Sequence, residues 1–154
     1  MSLRSSILDN IASTLAAITV AGGYELACGE AKRGFKHFNN VPEDLLRSGY
    51  FAAYVAGADE KRVNSAQRYY TSDMDASVVV YVKTATSTDL ETLERDLDKA
   101  ISDVTEALMV DVSRGGYAVT TELVEVNTDK GSFAPYASAE IIVRTQYRAS
   151  VSAP

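Results

Sequence analysis

The sequence predicts an α+β fold: a mostly antiparallel β-sheet with a long amphipathic helix over residues 88–109 and an N-terminal helix over residues 3–19 packed on it. Three observations predict it. Leu90, Leu93, Leu97, Ile101, Val104 and Leu108 recur every three or four residues, while Glu91, Glu94, Arg95, Asp98, Lys99, Ser102 and Thr105 fall elsewhere. That spacing draws one apolar stripe along a helix, and the stripe needs a flat apolar partner. The flanking segments alternate with period two, the pattern of a sheet with one wet face. Finally, 154 residues with 46% hydrophobic content are enough to bury a core as a single domain, 1–154.

At the N-terminus, Ile7, Leu8, Ile11, Leu15 and Ile18 share a helical face, with Ser2 or Ser5 as cap and Gly22-Gly23 as the expected end. Asp9, Asn10, Ser13 and Thr14 interrupt this segment, so it is neither a secretory signal nor a membrane span. A weakly alternating strand follows over 24–32 and contains Cys28, whose expected role is a small half-buried strand residue. Residues 33–40 are polar with Phe35, His37 and Phe38 interleaved, and Pro42-Glu43-Asp44 has the composition of a first helical turn running to Leu46. Tyr50 to Ala56 is a buried strand closed by Gly57. Residues 58–75 form the longest polar stretch, too long for a simple connection. It is expected to be an extended loop, either a disordered surface loop or an arm ordered against a partner. Arg68 beside Tyr69 and Tyr70 favours the arm, because Arg and Tyr often anchor interfaces.

Ser77 to Thr84 is rich in valine and gives the clearest strand. Thr88 and Glu91 have the spacing of a capping box at the start of the long helix, and Arg114-Gly115-Gly116 marks a break beyond its end. Residues 117–126 follow as a strand with Tyr117, Val119, Thr121 and Leu123 on one face. Residues 137–148 form the last, with Ile141, Val143 and Tyr147 inward and Glu140, Arg144, Gln146 and Arg148 outward. The turn-rich stretch 127–135 between them is expected to be a long hairpin loop.

Fifteen Lys and Arg against 21 Asp and Glu give a net charge of -6, which argues against a broad phosphate-binding face. The lone cysteine excludes an intrachain disulfide and a cysteine cluster for zinc. Asp73-Met74-Asp75 lacks the further acids, glycine and glutamate of a calcium loop, and the glycine pairs lack the spacing of phosphate loops. His37 has no local partner for acid–base work. No catalytic group, metal site or cofactor is expected, and the chain does not read as an enzyme.

The order of elements and the size of the chain carry a family resemblance, as do the Gly115-Gly116-Tyr117 run after the long helix and the run from Val124 to Gly131. Pro135-Tyr136-Ala137 and a last strand ending near Tyr147 complete it. Together they resemble the tail terminator proteins of long-tailed, siphovirus-type bacteriophages. The resemblance implies a structural virion protein of the tail and neck, assembled in the host cytoplasm. Such a protein forms a homohexameric ring on the tail tube protein, ends tube polymerisation and meets a head-side connector or neck protein, while DNA passes through the lumen without sequence-specific binding. Two heterologous lateral faces suit a closed ring, and an acidic lumen would repel phosphate. The residues expected at subunit or tube interfaces are Arg62, Arg68, Tyr69 and Tyr70, with Asp129, Lys130 and Phe133. The competing classes are a tail tube or head-completion protein and a small cytoplasmic enzyme or ligand-binding domain.

Overall fold

Two helices, α1 (Leu3–Ala16) and α2 (Leu90–Val110), lie on one face of a five-stranded sheet in the computed structural model, which describes residues 2–42, 46–65, 69–84 and 88–150. The strands are β1 (Ala27–Arg33), β2 (Tyr50–Ser65), β3 (Tyr69–Lys83), β4 (Thr120–Thr128) and β5 (Tyr136–Ser150), in the spatial order β1-β2-β3-β5-β4. Only the β1–β2 pairing is parallel, so the expected α+β architecture with a mostly antiparallel sheet is what the chain adopts.

The stripe on α2 does what its spacing requires. Leu93, Leu97, Ala100, Val104, Ala107 and Leu108 are buried, whereas Leu90 at the first turn remains half exposed. α2 sits over β3 and β5 and α1 over β1 and β2. Beneath them lie Phe51, Ala53 and Val55 of β2, five alternating residues from Met74 to Val82 of β3, and Ala137, Ala139, Ile141 and Val143 of β5.

Helix ends depart from the sequence expectation in three ways. Asp89, not Thr88, caps α2, its carboxylate accepting the Thr92 N–H at 3.2 Å; a carboxylate there also faces the positive end of the helix dipole. α1 ends at Ala16, well before Gly22-Gly23, and the chain turns so that Ile18 still reaches the core. After α2, Arg114, Gly115 and Gly116 take φ of 50°, 69° and 92°, so the expected break is a run of left-handed backbone. Arg114 folds back beneath it, fully buried, and donates to the carbonyls of Leu108 and Asp111 at the negative end of the helix.

The largest correction concerns residues 58–75. Their described parts, 58–65 and 69–75, are not an extended loop: β2 and β3 run on there as paired strands, in register from Glu60↔Met74 to Ser65↔Tyr69 after a bulge that follows Gly57. Gly57 therefore does not close β2. A side chain there would collide with the Arg4 guanidinium, which donates to the Ala58 carbonyl at 3.0 Å. The expected turn at Pro42 to Leu46 lies largely outside the described residues. β4 begins three residues later than expected and bulges at Val124.

On the opposite face the sheet is covered over only part of its width. Residues from Gly34 onward fold back so that Val41 and Leu46 pack on Ala52, Tyr54 and Tyr81. The Tyr81 hydroxyl donates to the Lys36 carbonyl at 2.8 Å. The Glu30 carboxylate accepts from the Tyr54 hydroxyl and pairs with Lys32 at 2.9 Å and Lys36 at 3.4 Å. Burial alone would raise that carboxyl, but hydrogen bonds from Tyr54 and Lys32 outweigh it and hold it below its ordinary range.

Candidate functional site

β2, β3 and β5 outrun their neighbours at one end. Pairing with β1 stops at Val55, and pairing with β4 starts at Gln146, so the strand segments beyond form a three-stranded ribbon. No helix stripe covers this ribbon, and polar contacts organise both of its faces. On the helix side, Glu60 accepts from the Tyr147 hydroxyl and from Arg62 Nε at 2.7 Å. Arg62 lies 4.6 Å from the centre of the Tyr70 ring, which meets Tyr147 edge-on at 6.3 Å. Arg4 of α1 reaches Glu60 at 3.7 Å. Burial pushes the Glu60 carboxyl up, yet donation from Tyr147 and Arg62 leaves it below its ordinary value.

On the other face, Arg148 lies 5.0 Å from the Tyr69 ring centre, Gln146 donates to Asp73 at 3.2 Å, and Arg144 holds Asp75 at 2.9 and 3.3 Å. Asp73 and Asp75 are thus strand residues with cross-strand partners, not part of an acidic loop. Among the described residues, Val63 at 59% and Tyr69 at 45% are the exposed large hydrophobic side chains here.

The second predicted cluster lies at the opposite end of the sheet. Asp129 closes the β4–β5 loop, its two carboxylate oxygens accepting the N–H of Gly131 at 3.0 Å and of Ser138 at 3.1 Å. Lys130 follows with φ of 56° and Gly131 with 78°, the left-handed geometry such a turn uses. Phe133 is half exposed at the loop tip. The 15 residues of β5 separate this loop from the ribbon end by about 45 Å, at roughly 3.3 Å per residue.

The two segments named from the sequence lie at opposite ends of β5 and differ in chemistry. Arg62 and Tyr70 share one ribbon face, Tyr69 occupies the other, and Arg68 lies outside the described residues. Asp129 is committed to its own loop, which leaves Lys130 and Phe133 as the outward groups. Two features went unnoticed. Between the first half of α2 and the β4–β5 loop runs a groove of about 440 Å³, floored by Leu93, Leu97 and Ala137 and rimmed by Leu90, Glu94, Asp98 and Lys130. At the other lateral edge, Phe35 is 68% exposed on the loop leaving β1, among Lys32, Arg33 and Lys36. An aromatic interleaved with cations was the legible signal for it.

A family profile described as Bacteriophage Tail Tube Terminator Protein matches residues 1–153. The chain belongs to that family. Membership makes it a phage tail structural protein and a virion component, in a structural family rather than an enzyme family. No curated protein matches the sequence. The fold is similar to that of a chain in a solved structure of the virion of a native gene transfer agent particle, with a TM-score of 0.53 at 10% identity over 96% of this chain and 98% of that one. Among the described residues no helix is long and apolar enough to cross a membrane, and no cluster of three or more His, Cys, Asp or Glu could hold a metal ion.

Proposed function

We infer that this terminator-family chain forms a sixfold ring that caps the tail tube, ends its polymerisation and joins the tail to a head-side connector. The observation that carries this reading is the polarity of the subunit. Its lateral edges, β1 and β4, differ in sequence and surroundings, and so do the two ends of β5. Unlike edges pair head to tail, and such pairing closes into a ring when the rotation per subunit allows. Unlike ends let one face of that ring meet the tube while the other meets a different partner. The ribbon, with Arg62, Tyr69, Tyr70 and Arg148, is the axial contact; Lys130 and Phe133 lie at the lateral one. The uncovered sheet face carries Asp59, Asp73, Asp75, Glu122 and Glu140 against Lys61, Arg144 and Arg148, and facing the lumen this acidic balance would keep DNA from sticking.

Negative-stain electron microscopy of the protein, alone and mixed with tail tubes assembled without it, tests the reading. Sixfold rings, or a cap at one end of the tubes, are expected. Long tubes grown from the protein alone would make it a tube subunit, and a monomer with no affinity for tubes would overturn the assignment.

A further inference from the structure

A ring needs a lateral joint, and the structure presents two complementary halves of one on opposite edges of the subunit. We propose that Phe35 of one copy seats in the groove between α2 and the β4–β5 loop of the next copy. Phe35 is the most exposed aromatic among the described residues, at 68%. A large apolar side chain held in water by its loop loses solvent contact only when something covers it. The groove is the matching vacancy: three leucines, Leu90, Leu93 and Leu97, with Ala137 line a space of about 440 Å³, ample for one phenyl ring.

Charge selects the same pairing. Lys32, Arg33 and Lys36 flank Phe35 in the chain, and their internal partners are Glu30 and Asp9, which leaves this segment with one more positive charge than its partners neutralise. Across the joint, Glu94 and Asp98 rim the groove and make no ion pair among the described residues, with Lys130 on the far lip. Opposite charge around an apolar anchor is the anatomy of a specific interface: the anchor supplies affinity and the rim supplies orientation.

The joint must be between copies. β1 and β4 are the outermost strands, four spacings apart, so roughly 19 Å of sheet separates them at about 4.8 Å per strand. Phe35 leaves the β1 side on the loop that covers the sheet face opposite the helices, while the groove opens beneath α2 at the β4 side. A knob on one edge and a hole on the other define a heterologous contact, which repeats head to tail around a ring.

This joint rests on the ring reading, and the experiment separates the two. In a Cys28→Ser background, Lys36→Cys, beside the anchor, with Thr128→Cys, on the groove lining, keeps Phe35 and the leucines and is assembled alone or on tube ends and cross-linked with a short bis-maleimide. A ladder of covalent oligomers ending at the closed ring is expected, with neither single-cysteine variant giving one. Phe35→Ala should raise the concentration needed for half-assembly about tenfold or more, without altering thermal unfolding of the monomer. The double change Glu94→Lys and Asp98→Lys, also on exposed positions, should weaken assembly likewise. Wild-type rings or caps that persist with Phe35→Ala and yield no cross-link overturn the joint and leave the ring standing. A wild-type protein that forms neither rings nor caps overturns both.

Discussion

The two ends of β5 solve the same structural problem by opposite means. At the Tyr136 end the strand is pressed under α2, and leucines and alanines exclude water from it. At the Ser150 end the same strand leaves the helices behind, and its side chains reach its neighbours through Tyr147 on Glu60, Tyr147 edge-on to Tyr70 and Arg148 on Tyr69. The first end is stable because apolar area is buried; at the second, ion pairs, cation–π contacts and the Tyr147–Glu60 hydrogen bond link neighbouring strands. The difference teaches why one end offers an apolar groove and the other a polar ribbon. Each surface inherits the chemistry that holds the strand beneath it.

The hardest break is Tyr147→Ala at the ribbon end. Tyr147 is 1% exposed, so the change removes a buried ring and leaves Glu60 without its phenolic donor. A loss of about 3–5 kcal/mol is expected, read by urea denaturation. Leu97→Ala at the groove end should cost about 2–5 kcal/mol by cavity formation alone, and with no change in pH dependence. Equal pH profiles for the two variants would erase the distinction between the ends.

A gentler change sharpens the comparison. Tyr147→Phe keeps the ring and removes one hydrogen bond to a carboxylate, worth about 1.5–3 kcal/mol. The folded Glu60 carboxyl lies below its ordinary value of 4.5 because donation outweighs burial, so its contribution is fully present above that value and is lost as pH falls through the folded one. Tyr147→Phe should therefore flatten the decline of melting temperature between neutral pH and pH 3, and an unchanged acid slope would remove Glu60 as the titrating group. The smallest effect on stability is expected from Tyr69→Ala, which deletes an exposed cation–π contact with Arg148 worth about 0.5–1 kcal/mol. Its consequence should appear in capping of tail tubes by electron microscopy instead, and undiminished capping would remove the ribbon from the axial contact.

Much of the fold was legible because burial leaves a period. The α2 stripe, the valines of β3 and the alternation of β5 each record which side of the element meets the core. Residues 58–65 and 69–75 defeated that logic: apart from a few buried positions such as Met74, charged and hydroxyl residues line both faces of these strands, which in a sequence looks like a loop. Thr88 misled for a smaller reason, since Asp89 beside it is an equally good cap and one residue decides the helical phase. Of the candidate site, Tyr69, Tyr70 and Phe133 were visible as aromatics in polar surroundings. Asp129 was not separable from them, because whether a carboxylate closes its own turn or faces outward depends on backbone geometry.

By itself the sequence determined the α+β class, the helix stripe and the inward faces of β3 and β5, since each follows from residue spacing under one rule of burial. Only the tertiary structure decided that the two candidate segments lie at opposite ends of one strand. It alone decided that an exposed phenylalanine and an apolar groove occupy opposite edges of one sheet. Those relations depend on strand order and register, which are set by pairing between residues far apart in the chain and leave no local periodicity to read.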